Sequence, residues 1–395
     1  MTQAYAPLSD IRVVEMSHMI MGPSCGMFLA FLGAEVIKVE PPGGDKTRNL
    51  TGMGSGFFPT FNRGKKSVVL DLQRPEGRTE LDKLLATADV FVENFRDQSL
   101  KSMGFDAETL RARYPKLIVA SCKGFLHGPY ENRTAMDEVV QMMTGMAYMT
   151  GPTGRPLRIG SSANDIMAGL FGAFAVLGSL YQRRDTGTGQ AVRVGLFENC
   201  LLLVAQHMVQ YAIEGTEAPP MPERLFSWPV YDIFETKDGR PLFVGAVTEG
   251  QWKVLCEILG LTEFLADARL QNRPDQIAAR DWTIPVVARA IALRTAADLI
   301  TAFEKAGIPF SPVARPAEMY DDPHVMRPGG LLRSQAPGGK TFSAPGLPFE
   351  VDGEAIQPGA DVPDVGADTA EVLQGLERSE APAGAKAAAT RARHG

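Results

Sequence analysis

Neither a disulfide framework nor a metal-ligand pattern can be drawn from this chain. Its four cysteines, Cys25, Cys122, Cys200 and Cys256, are scattered without CxxC spacing, and only five histidines accompany them in 395 residues. Bound metal is therefore not expected, and a reducing, cytoplasmic compartment is. Runs of like charge are missing as well: the net charge is −6 and no five or six basic residues stand together, so a nucleic-acid partner is not expected and acidic ligands would need local basic pockets. The first residues lack a basic region feeding an apolar core with a small-residue cleavage site. No stretch reaches the ~20 apolar residues of a membrane span. Ile166 to Tyr181 comes nearest, but it is short and rich in Gly and Ala, and reads as a buried helix.

What is present is an alternation of strand and helix patterns. Ile11 to Met16 reads as a strand, Ser24 to Leu32 as a helix stopped by Gly33, and Ala34 to Glu40 as a second strand. Such a βαβ unit implies a parallel sheet. The turn from Ser17 to Pro23 then lies at the carboxyl end of the sheet, where ligands of open α/β sheets bind; it has no GxGxxG, which argues against an ordinary dinucleotide site. Strands at Val68–Leu72, Asp89–Glu93 and Leu117–Ser121 continue the pattern, with a helix at Pro75–Ala86, and the expected fold is an α/β doubly wound parallel-sheet domain. The basic loops Gly43–Arg48 and Asn62–Ser67 are either solvated surface or places where a phosphate-bearing ligand crosses the sheet edge. Arg133 to Gln141 opens a helix with Thr134 or Ala135 near its cap, and Arg183 to Gln190 reads as a hairpin-like connection into the strand Ala191–Val194.

Gly and three prolines in Glu214–Pro222 mark a linker. The expected organisation is a large domain over 1–213, a linker at 214–224, a smaller α+β domain over 225–318, a return segment over 319–380 to the large domain, and a flexible tail at Ala381–Gly395.

One turn stands out chemically. Arg158-Ile159-Gly160-Ser161-Ser162-Ala163-Asn164-Asp165 runs directly into the apolar stretch. Asp165 is either a cap, accepting a backbone N–H at the positive end of the helix dipole, or a covalent nucleophile beside small residues that let a carbonyl approach.

Several stretches in order decide how the chain is placed. They are Gly22-Pro23, Gly33 to Glu40, Gly44-Asp45 with Arg48, Asn62 to Ser67 with Leu70, Val92 to Arg96, Lys123-Gly124-Phe125, Asp165, and Thr186 to Gln190. With them the chain resembles the family III CoA-transferases, a group that includes formyl-CoA and carnitine CoA-transferases and the α-methylacyl-CoA racemases. The likeness spans about Ile11 to Leu376. It implies a catalytic aspartate at Asp165, attacking an acyl-CoA thioester to give an aspartyl anhydride and then an aspartyl-CoA thioester from which CoA passes to an acid. It also implies an interlocked homodimer, and coenzyme A as part of the substrate with no metal. The CoA-facing positions it implies are His18, Ile20, Met21, Leu70, Asp71, Leu72, Gln73, Asn94, Phe95, Arg96 and Lys123. Many relatives carry a basic residue where this chain has Pro41, and some have Arg at Ser102, so Lys101 is the expected substitute. A glycine-run loop is missing between Pro220 and Gly250, which argues against formyl or oxalate specificity.

Two other activities compete. A 2-methylacyl-CoA racemase needs a histidine just before the acid matched by Asp137, and Met136 stands there. A non-catalytic CoA-binding protein would keep the phosphate contacts without needing Asp165. For the acceptor, the run Lys123 to Pro152 resembles transferases acting on succinate, mesaconate or itaconate. Arg133, Arg155, Arg158 and Arg224 are the cations that could hold a distal carboxylate, with Asp137 alongside.

Overall fold

In the computed structural model residues 5–380 are described. They form two units, one built from the segment ending at Pro222 and the segment starting at Met326, the other from Glu223–Val325. The expected tail at Ala381–Gly395 lies outside the described residues.

The first unit runs β1 (Arg12–Met16), α1 (Met21–Phe31), β2 (Glu35–Glu40), α2 (Phe57–Phe61), β3 (Lys66–Val69), α3 (Pro75–Ala86), β4 (Val90–Glu93), α4 (Asp97–Met103), α5 (Ala107–Arg113), β5 (Ile118–Lys123), α6 (Asp137–Met143), α7 (Met146–Thr150), α8 (Ala163–Thr186), β6 (Ala191–Gly195) and α9 (Leu196–Glu214). All six strands are parallel, in the order β3-β2-β1-β4-β5-β6. Alternate residues supply the two faces, as the period of two requires. Val13, Val36, Val90, Val92, Ile118 and Ala120 pack with α1, α8 and α9 on one side. Val14, Ile37, Phe91 and Val119 pack with Leu81, Leu84 and Leu85 of α3 on the other. Because both faces are covered, the central strands carry consecutive apolar residues, Val13-Val14, Val36-Ile37 and Val90-Phe91-Val92, rather than an alternating pattern.

The strand order fixes where a ligand fits. From β1 the chain steps outward to β2 and β3, then returns to β4 on the opposite flank of β1. The loops leaving β1 and β4 therefore part in opposite directions, which opens a crevice at the carboxyl ends.

Helix α8 is longer than the expected Ile166–Tyr181. It starts at Ala163 and continues through Arg183, Arg184 and Asp185, so the stretch before β6 is helix closed by left-handed Gly187 and not a hairpin-like turn. Tertiary anchoring explains the difference: Arg183 pairs with Asp89 at 2.8 Å and donates to the Lys116 carbonyl at 3.0 Å. Small residues let α8 lie close on α1. A Cβ at Gly169 would stand 2.6 Å from the Met21 carbonyl and 2.4 Å from Ser24 Oγ.

In the second unit β7 (Val230–Glu235), β8 (Pro241–Ala246) and β9 (Phe310–Pro312) form an antiparallel sheet. Helices α10 (Glu249–Leu259), α11 (Thr262–Ala266), α12 (Arg273–Ala278), α13 (Arg280–Ala292) and α14 (Ala296–Ala306) complete it, with Trp252, Leu255, Val287, Leu299 and Phe303 in its core. The chain returns to the first unit through two short hairpins and ends in α15 (Thr369–Glu380), whose Val372 and Leu376 join the α3 side of the large sheet.

Candidate active site

Three segments meet at the switch in strand order. The turn after β1 carries His18 and Met19, exposed, followed by Ile20 and Met21, whose side chains are buried. What Ile20 and Met21 can offer a ligand is therefore backbone. Asn94, leaving β4, holds this turn from the other side of the crevice: its Oδ1 accepts from the His18 N–H at 3.1 Å and its Nδ2 donates to the His18 carbonyl at 2.8 Å. Phe95 sets its ring 5.4 Å from that of His18. Met19 has φ 64°, a left-handed conformation uncommon for a side chain of this kind, and its N–H is held by Thr47 Oγ1 at 3.1 Å. Desolvation lowers the His18 pKa and Lys38 adds to it, against Asp45 and Asn94.

Beneath the turn lies a buried charge network that sequence reasoning missed. Lys38 Nζ donates to the Ser17 carbonyl at 2.7 Å and pairs with Glu15 at 3.3 Å and Asp45 at 3.2 Å. Lys65 pairs with Glu15 at 2.7 Å and donates to the Pro23 carbonyl at 2.8 Å. Burial pushes Lys65 down to about 8, with Glu15 opposing. In the basic loops on either side, three cations are engaged by internal partners. Arg48 forms a two-pronged pair with Glu40 at 2.8 and 2.6 Å, Arg63 donates to the Pro345 carbonyl at 2.8 Å, and Lys66 pairs with Glu35 and Glu371. Lysines in a Val-Ile strand or a Lys-Lys loop carry no local mark of being inside; only the tertiary acids reveal it.

Of the remaining positions singled out in the sequence, Leu70 is buried, Asp71 and Leu72 are half-buried, and Gln73 is exposed. Asp71 Oδ1 accepts from the Gln73 N–H at 3.1 Å. Arg96 is exposed, with one 3.4 Å contact to Thr134 Oγ1, and Lys101 is exposed on the rim of a concavity of about 920 Å³ that Glu93, His127 and Arg193 also line. Lys123 is buried, its ammonium bound by Glu93 and Asp97 at 2.8 Å each. Arg133 lies over the Tyr130 ring at 4.8 Å.

Asp165 sits in the first turn of α8, which rests on the start of α1, and its neighbour Ile166 packs in the cluster of Ile20 and Met27. The N-cap is Ser162 and no side chain caps the helix. Among the described residues the Asp165 carboxylate accepts no hydrogen bond, so capping is not its role. It is half-buried, and burial first, the Asp137 charge second, push its carboxyl up to about 7, against Arg158. Asp137 is 8% exposed; its Oδ2 accepts from Gln141 Nε2 at 2.8 Å and from Arg158 at 3.0 Å, while Oδ1 is buried without a partner. Helix α6 starts at Asp137 with Met136 as N-cap, later than the expected Thr134 or Ala135, because the Thr134 hydroxyl faces Arg96 instead. Met136, at the histidine position of the racemases, is 62% exposed and has no proton to exchange.

An unpaired carboxylate at a helix start, beside a crevice at a parallel sheet's switch point, suits acyl transfer. The family model for CoA-transferase family III matches residues 8–369. The chain belongs to that family. A succinate–glutarate CoA-transferase of Agrobacterium fabrum is 32% identical over 95% of this chain and 96% of its own length. A succinyl-CoA:mesaconate CoA-transferase of Haloarcula hispanica is 31% identical over 93% and 95%. Among solved structures, a CAIB/BAIF family protein from Brucella suis matches with a TM-score of 0.84 and 29% identity, covering 95% of this chain and all of that one. As a family III CoA-transferase the protein is an enzyme whose substrates are CoA thioesters.

Proposed function

We propose that this enzyme moves CoA from an acyl-CoA thioester to a small dicarboxylic acid, with Asp165 as the covalent acceptor. The observation that carries the reading is the half-buried Asp165 carboxylate, which no neighbour engages by a hydrogen bond among the described residues. Asp165 attacks the thioester carbonyl, the C–S bond breaks, and CoA leaves as thiolate. The thiolate then attacks the aspartyl carbonyl of the mixed anhydride, which frees the first acid and leaves an aspartyl-CoA thioester. An incoming carboxylate attacks that thioester, and the expelled thiolate takes the new acyl group, restoring Asp165. A carboxylate with a raised pKa is a stronger nucleophile when ionised, and backbone N–H groups at the helix start can steady the oxyanion.

The exposed cations Arg96 and Lys101 suit the phosphates of CoA, and the His18 turn suits its pantetheine arm. Relatives named for succinate, glutarate and mesaconate support the dicarboxylate class. An intertwined homodimer is part of the proposal: Leu202, Met208, Val209, Tyr211 and Ile213 of α9 and Phe174 and Tyr181 of α8 are each more than half exposed in one chain, an apolar surface that a second copy would cover. Cytoplasmic residence is supported by four free, buried thiols.

The test is hydroxylamine trapping. With an acyl-CoA donor, mass spectrometry should find a hydroxamate at Asp165, and Asp165→Ala should lose both adduct and turnover. An adduct-free wild type with a fully active Asp165→Ala would end the nucleophile reading. A panel of glutarate, succinate, mesaconate, itaconate and oxalate, run against monocarboxylates, tests the acceptor class.

A further inference from the structure

Arg158 is gripped on one edge and open on the other. Its Nε donates to the Ile159 carbonyl at 3.2 Å, and Nη2 donates to Asp137 Oδ2 and to the Ser161 carbonyl, both at 3.0 Å. Gln141 completes the grip, donating to Asp137 and accepting the Ile159 N–H at 2.9 Å. The guanidinium is thus fixed in plane and direction. Among the described residues its Nη1 meets only the thioether sulfur of Met53, at 3.9 Å. A thioether is a weak acceptor, so an arginine nitrogen facing one keeps nearly all its capacity for an anion.

Met53 does not sit there as core. It is 74% exposed, on the short turn Gly52–Gly56, whose three glycines place little steric restriction on the backbone. Arg158 is itself 20% exposed, and its charge pulls the Asp165 carboxyl down, a smaller effect than the opposing one of Asp137. Arg133 has no such placement: its guanidinium lies over the Tyr130 ring.

We propose that the open Nη1 edge of Arg158 binds the distal carboxylate of the acid substrate, that Met53 gives up its place to it, and that this pair sets the preference for dicarboxylic over monocarboxylic acids. The proposal rests on Asp165 as acyl acceptor. Asp137 is then a positioning residue: it aims the fork and offsets its charge, so that the empty site does not attract every passing anion. A rigid planar fork with one side committed and the other free discriminates by geometry as well as charge.

The experiment puts a competing carboxylate in the pocket. Met53→Glu, at an exposed position that tolerates it, would offer its own oxygen to Nη1. The readout is the ratio of kcat/KM for glutarate to that for pentanoate, an acid of equal length with one carboxylate. The ratio is expected to be large in the wild type and to fall at least tenfold in Met53→Glu. Ser55→Glu, with the same charge on the same turn, should change it less than threefold. A wild-type ratio near one, a smaller fall in Met53→Glu, or an equal fall in Ser55→Glu would overturn the proposal. Hydroxylamine trapping of Asp165 in the wild type separates this outcome from failure of the nucleophile reading, which would show as a missing adduct whatever the ratio does.

Discussion

Replacing Asp165 by Asn should stabilise the protein, and only at the alkaline side of a defined window. The carboxyl is pushed from 3.8 up to about 7, chiefly by burial and then by Asp137. Between those values the folded chain holds a proton that the unfolded chain has released. Stability therefore falls as pH rises from the lower value through the higher, and is constant beyond it. The whole interval is worth roughly 4 kcal/mol at about 1.4 kcal/mol per pH unit. The part between pH 5 and 7 is about 2–3 kcal/mol, near the lower figure once solvent reaching the half-buried group is counted. Asn carries no titrating proton and escapes the loss. Thermal unfolding of wild type and Asp165→Asn should then give midpoints that diverge from pH 5 to 8.5, by about 4–6 °C at roughly 2 °C per kcal/mol. In an Asp137→Asn background the divergence should shrink. Two midpoint curves that run parallel across this range, or an Asn variant whose advantage appears only below pH 5, would refute the claim that burial and Asp137 outweigh Arg158 in raising the Asp165 carboxyl.

Other outcomes follow from the same geometry. Asp165→Glu keeps the charge but moves the nucleophile by a methylene, and turnover should drop on the order of 100-fold while the acyl-CoA KM stays near wild type; steady-state kinetics checks this. Gly169→Ala places a Cβ 2.6 Å from the Met21 carbonyl, and should cost about 1–3 kcal/mol in a urea titration through overpacking of α8 on α1. Lys38→Met leaves Glu15 and Asp45 buried beside one cation fewer, and should cost about 3–5 kcal/mol; an unchanged urea midpoint would show that the network contributes nothing.

Much of the fold was legible because its parts are local. The Val and Ile runs of β1, β2 and β4, the glycine stop at Gly33 and the proline at the start of α3 all act within a few residues of themselves. The order of strands is not local, and neither is the last turn of α8, which exists because Arg183 finds Asp89 on another element. At the site, Asp165 was visible as an acid before an apolar helix, yet nothing nearby distinguished cap from nucleophile. The folded chain removes the cap, since no backbone N–H donates to that carboxylate among the described residues; the nucleophile is the proposal that hydroxylamine trapping tests. Asn94 and the His18 turn were marked by motif, but their reciprocal bonding across the crevice was not. Lys38 and Lys65 were invisible as structural charges, since a lysine looks the same in sequence whether it faces water or a buried glutamate. Met53 carries no local mark, since it lies in a glycine-rich stretch without helix or strand periodicity.

The pinning of the His18 turn has a practical bearing on how such an enzyme can be retuned. Lys38, Thr47 and Asn94 fasten it from below and from the side, and Gly26 has no space for so much as a methyl, since a Cβ there would come within 1.8 Å of Glu15. Libraries aimed at this floor would return mostly misfolded clones. Diversity placed in the glycine-spaced segment 52–56 touches none of those fastenings, and it is there that new acid preferences should be selected.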